Sequence, residues 1–245
     1  MTEPAMTCSN CGASVPRGSR FCERCGTAVA LSPPVRPSWD VPTTTGFESA
    51  SQMPAYRGSD PLLSFAVAYP ESLSRWKIFV KWLLVIPHWI VLGLLGFIVV
   101  YLVSWISWFA ILILGRYPRG LWDFMLMYMR WSANVSVYAF TLQRDEYPPF
   151  GDSSYPARLN LEYPERLSRL LIFVKWLLLI PHFFIWWLVG LAAFASIVIA
   201  WFAILITGSY PRGLFDFVTG AYRWLYRITA YFYLMTDKYP PFSLE

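Results

Sequence analysis

Two long stretches of this chain carry no charge at all. Residues 82–114 and 176–207 contain no Asp, Glu, Lys or Arg. An uncharged apolar run of more than about 18 residues is a membrane-span candidate. As one straight helix, 33 residues would measure roughly 50 Å, against a hydrocarbon core of about 30 Å. If the helix begins near Leu73, the run to Leu114 suffices for two crossings of about 20 residues each. Gly93 and Gly96 then mark a reversal near its midpoint, Gly190 marks one less clearly in the second stretch, and Lys77 and Lys81 snorkel to the headgroups. A second kind of pattern follows each stretch. Over Leu121–Leu142 the polar residues Asp123, Arg130, Asn134 and Thr141 recur at helical spacing and share one face. Over Leu214–Met235 the residues Asp216, Arg223 and Arg227 do the same. Arginine at mid-bilayer costs at least ~2.5–3.5 kcal/mol on insertion scales, so these two helices are expected to lie in the membrane interface.

The two patterns belong to an internal duplication. Tyr69-Pro70-Glu71 matches Tyr163-Pro164-Glu165, and Ile86-Pro87-His88 matches Ile180-Pro181-His182. Tyr117-Pro118-Arg119-Gly120 matches Tyr210-Pro211-Arg212-Gly213, and Tyr147-Pro148-Pro149-Phe150 matches Tyr239-Pro240-Pro241-Phe242. So many ordered matches define a repeat. Its boundaries give a membrane repeat at 67–150, a linker at 151–162 and a second repeat at 163–245. Basic residues flank both apolar runs at both ends, which by the positive-inside rule favours both ends being cytoplasmic. The expected fold is therefore an all-α membrane protein of two tandem helical repeats, with about four transmembrane crossings plus amphipathic interfacial helices.

Composition agrees. The chain has 245 residues, 56% hydrophobic, 19% aromatic and only 14% charged, where a soluble domain is about 25% charged. This excludes a disordered chain, a disulfide-rich secreted domain and an ordinary soluble enzyme. The stretch 1–60 holds five basic and five acidic side chains, so the net charge of +5 belongs to the apolar part of the chain. A basic surplus beside apolar spans points to anionic lipid. No basic stripe with free aromatic platforms points to nucleic acid.

Residues 1–28 are polar and contain all four cysteines. No apolar segment follows Met1, so a cytosolic N-terminus is expected. Cys8-x2-Cys11 and Cys22-x2-Cys25 have the spacing of a tetrahedral zinc ribbon, and a glycine follows the second cysteine of each pair, Gly12 and Gly26. Four thiolates leave no open coordination position, so the Zn²⁺ is structural and supplies folding energy to a segment with almost no core. Residues 29–66 read as a flexible Pro/Ser/Thr-rich linker. Further candidates are the two histidines, His88 and His182. Each follows a proline, and either bonds a carbonyl that the proline frees or forms an intramembrane pair. Arg119 with Asp123 and Arg212 with Asp216 stand at i,i+4 as local ion pairs. Together with Arg130, Arg223 and Arg227 they form a candidate lipid-headgroup site or polar path. No catalytic motif is present.

With Tyr-Pro-x-x-Leu-Ser-Arg, Ile-Pro-His, Trp-Phe-Ala-Ile-Leu, Tyr-Pro-Arg-Gly-Leu-x-Asp-Phe and Tyr-Pro-Pro-Phe in hand, the chain resembles a bacterial membrane family. That family is defined by a short domain carrying these motifs, often in tandem, and is catalogued as a domain of unknown function. Trp122 stands where repeat two has Phe215, and Asn134 where it has Arg227. The N-terminal cysteines resemble the short zinc ribbons found at the ends of bacterial membrane proteins. The resemblance implies a multi-pass protein of the cytoplasmic (inner) membrane and carries over no activity. The expected function is a non-enzymatic scaffold, adaptor or lipid-associated protein whose ribbon recruits a cytosolic protein. The alternative is an oligomeric transporter or channel component that uses the Asp/Arg face. The purified chain should hold one zinc per molecule by elemental analysis, and Cys8→Ser or Cys22→Ser should abolish it.

Overall fold

The computed structural model describes residues 6–7, 10–11, 14–15, 24–25 and 63–244. The chain divides into two compact units, 1–52 and 53–245. In the first, β1 (Met6–Thr7) pairs antiparallel with β2 (Ser14–Val15), with Met6 opposite Val15. The rest of the fold lies in the second unit.

Its first repeat opens with β3 (Leu63–Val67). A long helix follows, made of α1 (Lys77–Leu84), α2 (Ile86–Ile98), a π-helical turn (Val99–Val103) and α3 (Ser104–Leu114). After a turn comes α4 (Arg119–Val135), ending in a second π-helical turn (Ser136–Phe140). Repeat two has β4 (Ala157–Leu161), α5 (Leu171–Leu178), α6 (Ile180–Thr207) and α7 (Arg212–Phe232). Pro87 and Pro181 sit at the first turn of α2 and α6. There the missing N–H is tolerated, and it sets a joint rather than a break. Among the described residues, two helices are long and apolar enough to cross a membrane, Lys77–Leu114 and Leu171–Thr207.

The expected reversal at Gly93 and Gly96 does not occur. The backbone stays helical through both glycines. A Cβ on Gly96 would come within 2.9 Å of the Tyr128 hydroxyl, so this glycine lets α4 approach closely. The chain reverses later, at Gly115 and Gly208, which end the long helices at φ +68 and +73. Each repeat is thus a hairpin of one long apolar helix and one amphipathic helix. In repeat one Tyr128 lies at Gly96, Trp131 at His88 and Tyr138 at Lys81.

The amphipathic helices are also not a surface layer. The apolar face of α4 (Trp122, Met125, Leu126, Met129, Ala133) joins Tyr226 and Ala230 of α7 and both strands in one core. The strands, in stretches that the sequence marks as linkers, pair antiparallel with Phe65 opposite Leu159. This small sheet packs on α4 and α7, whose other sides carry the long helices. The long helices are antiparallel to each other, with Trp108 against Phe173 at one end and Phe79 against Trp201 at the other. Three layers result: sheet, amphipathic helices, long helices.

The repeats clasp each other reciprocally. The segment after β3 reaches the hairpin turn of repeat two, where the Leu73 amide donates to the Gly208 carbonyl at 2.8 Å and the Tyr69 hydroxyl to the Tyr210 carbonyl. The segment after β4 returns the exchange, with Leu167 donating to Gly115 at 2.9 Å and Tyr163 to Tyr117. Gly115→Ala would strain a left-handed residue and place a Cβ 3.3 Å from Arg169 Nε. It should destabilise the protein by about 1–2 kcal/mol, measured by denaturant titration in micelles. Gly208→Ala should match it, and Gly93→Ala, with open space around it, should not destabilise.

Candidate functional site

Three groups of side chains carry the chemistry, and each appears once per repeat. The first is a buried lysine at the start of each long helix. Lys81 is only 1% exposed. Its ammonium pairs with Asp145 at 2.8 Å and donates to the Arg144 carbonyl at 2.7 Å. Lys175 repeats this with Asp237 at 2.7 Å and the Thr236 carbonyl at 2.7 Å. The same carboxylates accept the Ser74 and Ser168 amides at 2.5 Å. Each therefore ties together the segment before a long helix, the helix itself and the segment after the amphipathic helix. Lys81 does not snorkel to headgroups, because its charge is already matched inside the protein. Burial pushes the Asp145 carboxyl up, but the Lys81 ammonium and the Ser74 amide more than offset it, so its pKa lies below the usual carboxylate value. The sequence offers a signal for these ties that spacing rules overlook: Asp145 and Asp237 stand just before Tyr-Pro-Pro-Phe in both repeats.

The second group is the histidines. They are not brought together; each is enclosed by its own repeat. His88 stacks on Phe150 with centroids 4.0 Å apart, Tyr147 lies at 5.0 Å, and the Trp131 indole N–H donates to His88 Nδ1 at 2.9 Å. An accepting Nδ1 leaves the proton of a neutral ring on Nε2. His182 stacks on Phe242 at 3.9 Å, with Tyr239 at 4.9 Å and Trp224 at 5.7 Å. The Tyr-Pro-Pro-Phe tail thus folds back over the histidine of Ile-Pro-His. In repeat one His88 Nδ1 thus accepts from the indole and does not donate to a proline-freed carbonyl.

The arginines form the third group. Arg130 donates to the Leu159 carbonyl at 2.8 Å, to Asp152 at 2.7 Å and to Asn160 at 2.9 Å. Arg223 donates to the Phe65 carbonyl at 2.9 Å and the Leu244 carbonyl at 2.8 Å, and the buried Arg227 to the Ser243 carbonyl at 3.2 Å. These side chains hold strands and tails against the amphipathic helices. The expected i,i+4 ion pairs do not form. The Arg119 guanidinium lies over the Tyr163 ring at 3.8 Å and Arg212 over Tyr69 at 4.2 Å, because the tyrosine of the opposite repeat presents its ring face at that turn. Asp123 and Asp216 are exposed. A polar cleft of about 340 Å³ beside β4 is lined by Arg130, Asn134, Asp152, Arg158 and Asn160 among others.

Of the four cysteines, Cys11 and Cys25 lie exposed in turns, and Cys8 and Cys22 fall outside the described residues. No group of three or more His, Cys, Asp or Glu able to hold a metal occurs among the described residues. The strands β1 and β2 pair with Cys11 between them in the chain, a hairpin setting that suits a zinc knuckle. A thiol set of this spacing suits Zn²⁺.

The described chain is a mostly helical protein of two clasped repeats, each with one helix long and apolar enough to cross a membrane. Residues 75–151 and 169–243 match the model of a domain of unknown function, DUF4389, and residues 7–29 match a zinc-ribbon domain. The chain belongs to the DUF4389 family. No curated protein and no solved structure matches it.

The Lys175 tie gives a direct test. Lys175→Met leaves the Asp237 carboxylate without its cation. Removing one partner of a buried pair costs about 3–5 kcal/mol. Because Asp237 is 27% exposed, a smaller loss of about 2 kcal/mol is expected from unfolding in micelles. For the Asp145 pair the pH sign follows from its depressed pKa. Its contribution should be complete above about pH 4, the unfolded carboxylate value. It should be lost as pH falls through the lower folded value, and Asp145→Asn should remove that dependence.

Proposed function

We propose that this protein is a non-enzymatic membrane scaffold or adaptor, with its N-terminus in the cytosol of the cell. The clasped repeats hold it at the cytoplasmic membrane, and the zinc ribbon, joined through residues 29–62 that precede β3, recruits a cytosolic protein. One observation carries this reading. The buried charged side chains are used to fasten one part of the chain to another, while the long helices expose many large apolar side chains on their outside. Arg130 spends its donors on Leu159, Asp152 and Asn160, which leaves little for a moving solute. Lys81 and Lys175 face their own aspartates. A scaffold needs such rigidity, whereas a carrier needs polar groups that change partners.

The structural zinc would fold the ribbon and do no chemistry on a substrate. The ribbon's Cys11 and Cys25 are on the surface, as are their neighbours Asn10 and Arg24. Crosslinking in cells should capture a protein that is lost in the variant with Cys8, Cys11, Cys22 and Cys25 changed to Ser, while that variant stays in the membrane fraction. Vesicles containing the purified protein should show the same ion and solute leak as empty vesicles. Protein-dependent flux that survives the cysteine changes would replace this reading with the transporter one.

A further inference from the structure

We infer that the long helices do not cross the bilayer but lie flat in one leaflet, so that the protein is a slab embedded from the cytosolic side. The inference rests on the membrane reading above and changes its topology. The occupant of the apolar face is the acyl-chain layer of a single leaflet.

The symmetry of the fold supplies the first reason. Aligning the repeats carries Leu63 onto Ala157 and Val67 onto Leu161, and these residues pair as Leu63–Leu161 and Val67–Ala157. The antiparallel sheet is therefore centred on an approximate two-fold axis that runs normal to it. One face of the sheet packs on α4 and α7, so the axis passes through all three layers and lies perpendicular to the helices. It relates the start of one long helix, with Arg75 and Lys77, to the start of the other, with Arg166 and Arg169. If the helices stood upright, the axis would lie in the membrane plane, and the two equivalent ends would face opposite aqueous phases. One end would carry Arg75, Lys77 and Arg212, and the other Arg116, Arg119, Arg166 and Arg169. The positive-inside rule disfavours basic clusters on both sides of a membrane. With the axis along the membrane normal, all of these residues are on one side.

Depth supplies the second. Arg130 and Arg223 stand near the middle of α4 and α7 and hold the centre of the sheet, Leu159 and Phe65. Upright helices would put Arg130, Asp152, Arg158 and the polar cleft at mid-bilayer height. Flat helices put them on the far side from lipid, where the exposed Arg158, Asn160 and Glu162 meet water.

Tryptophan supplies the third. Trp prefers the interface. In the long helix Leu171–Thr207, Trp187 sits near the midpoint and is 60% exposed. In an upright helix it would be at the bilayer centre. In a flat helix every position along the length has the same depth. A helix about 10 Å across also fits one leaflet of roughly 15 Å, and the uncharged runs need no excess length outside the core.

The long helices, α4 and α7 run nearly parallel or antiparallel, so one spectroscopic measurement reads them together. Full-length protein is placed in supported phosphatidylcholine/phosphatidylglycerol bilayers, and the amide I dichroism is measured by polarised attenuated-total-reflection infrared spectroscopy. A negative helix order parameter is expected, and a positive one overturns the proposal. Flotation with vesicles of the same lipids separates the two claims. Protein that floats but shows upright helices refutes the flat topology alone, while protein that does not float refutes the membrane reading too. A second measurement uses Gly120→Cys and Gly213→Cys, positions where a side chain meets nothing within 4 Å. In intact cells, neither should gain labelling by an impermeant maleimide over the unaltered chain, and both should after permeabilisation. Labelling of one from outside, and of the other only after permeabilisation, overturns the proposal.

Discussion

The exchange between Leu73 and Gly208, and its mirror between Leu167 and Gly115, governs the rest of the architecture. A helix that ends in a left-handed glycine exposes its last carbonyls, and in this protein the partner segment comes from the other repeat. Tyr69 and Tyr163 reinforce the exchange by giving each hydroxyl to a backbone carbonyl and each ring face to an arginine of the opposite hairpin turn. Because each repeat closes the other, the two strands meet at the centre, the amphipathic helices are driven into the interior, and the long helices are left with one protected stripe and a broad apolar exterior. On the long helix of repeat one that stripe runs through Ile78, Lys81, Val85, His88, Leu92, Val99, Val103, Ser107 and Ile111, a spacing of three and four residues with one interruption near Gly96.

Much of this was legible from residue order. The duplication, the uncharged runs and the helical period of Asp123, Arg130 and Asn134 all correspond to real elements. The reversal was misplaced because glycine in an apolar run marks two different things. Gly96 is a contact point for Tyr128, while Gly115 and Gly208 take the backbone conformation that turns the chain. The strands were not visible because each is five residues long and lies beside Pro and Ser. Such short runs are stable only when a covering helix and a partner strand are both present.

Site residues were legible as types and not as partners. Lys81 resembles a headgroup lysine when only its neighbours in sequence are seen; its counter-charge, Asp145, lies beyond the far end of the amphipathic helix. His88 and Phe150 occur at fixed places in each repeat, yet nothing in local spacing says that the tail folds over the ring. Pairing between motifs of the same repeat, and between equal motifs of different repeats, is fixed by tertiary closure. The cysteine spacing is of another kind, a short-range pattern of the sort that thiolate coordination imposes, and residues 7–29 match a zinc-ribbon domain.

The reciprocal clasp also sets an order of events during synthesis. The turn at Gly115 waits for Leu167, which is made only after the whole of α4 and β4, and Leu73 waits for Gly208, near the end of the second repeat. At about 5–20 residues per second, these delays are roughly 3–10 s and roughly 7–27 s. Until each delay ends, the first repeat lacks that closing partner. Nascent chains on neighbouring ribosomes present the same unfilled turn and the same tyrosine-bearing segment, so the native clasp competes with an identical one between two chains. Joining the repeats through a short segment raises the local concentration of the correct partner and thereby favours closure within one molecule over exchange between two.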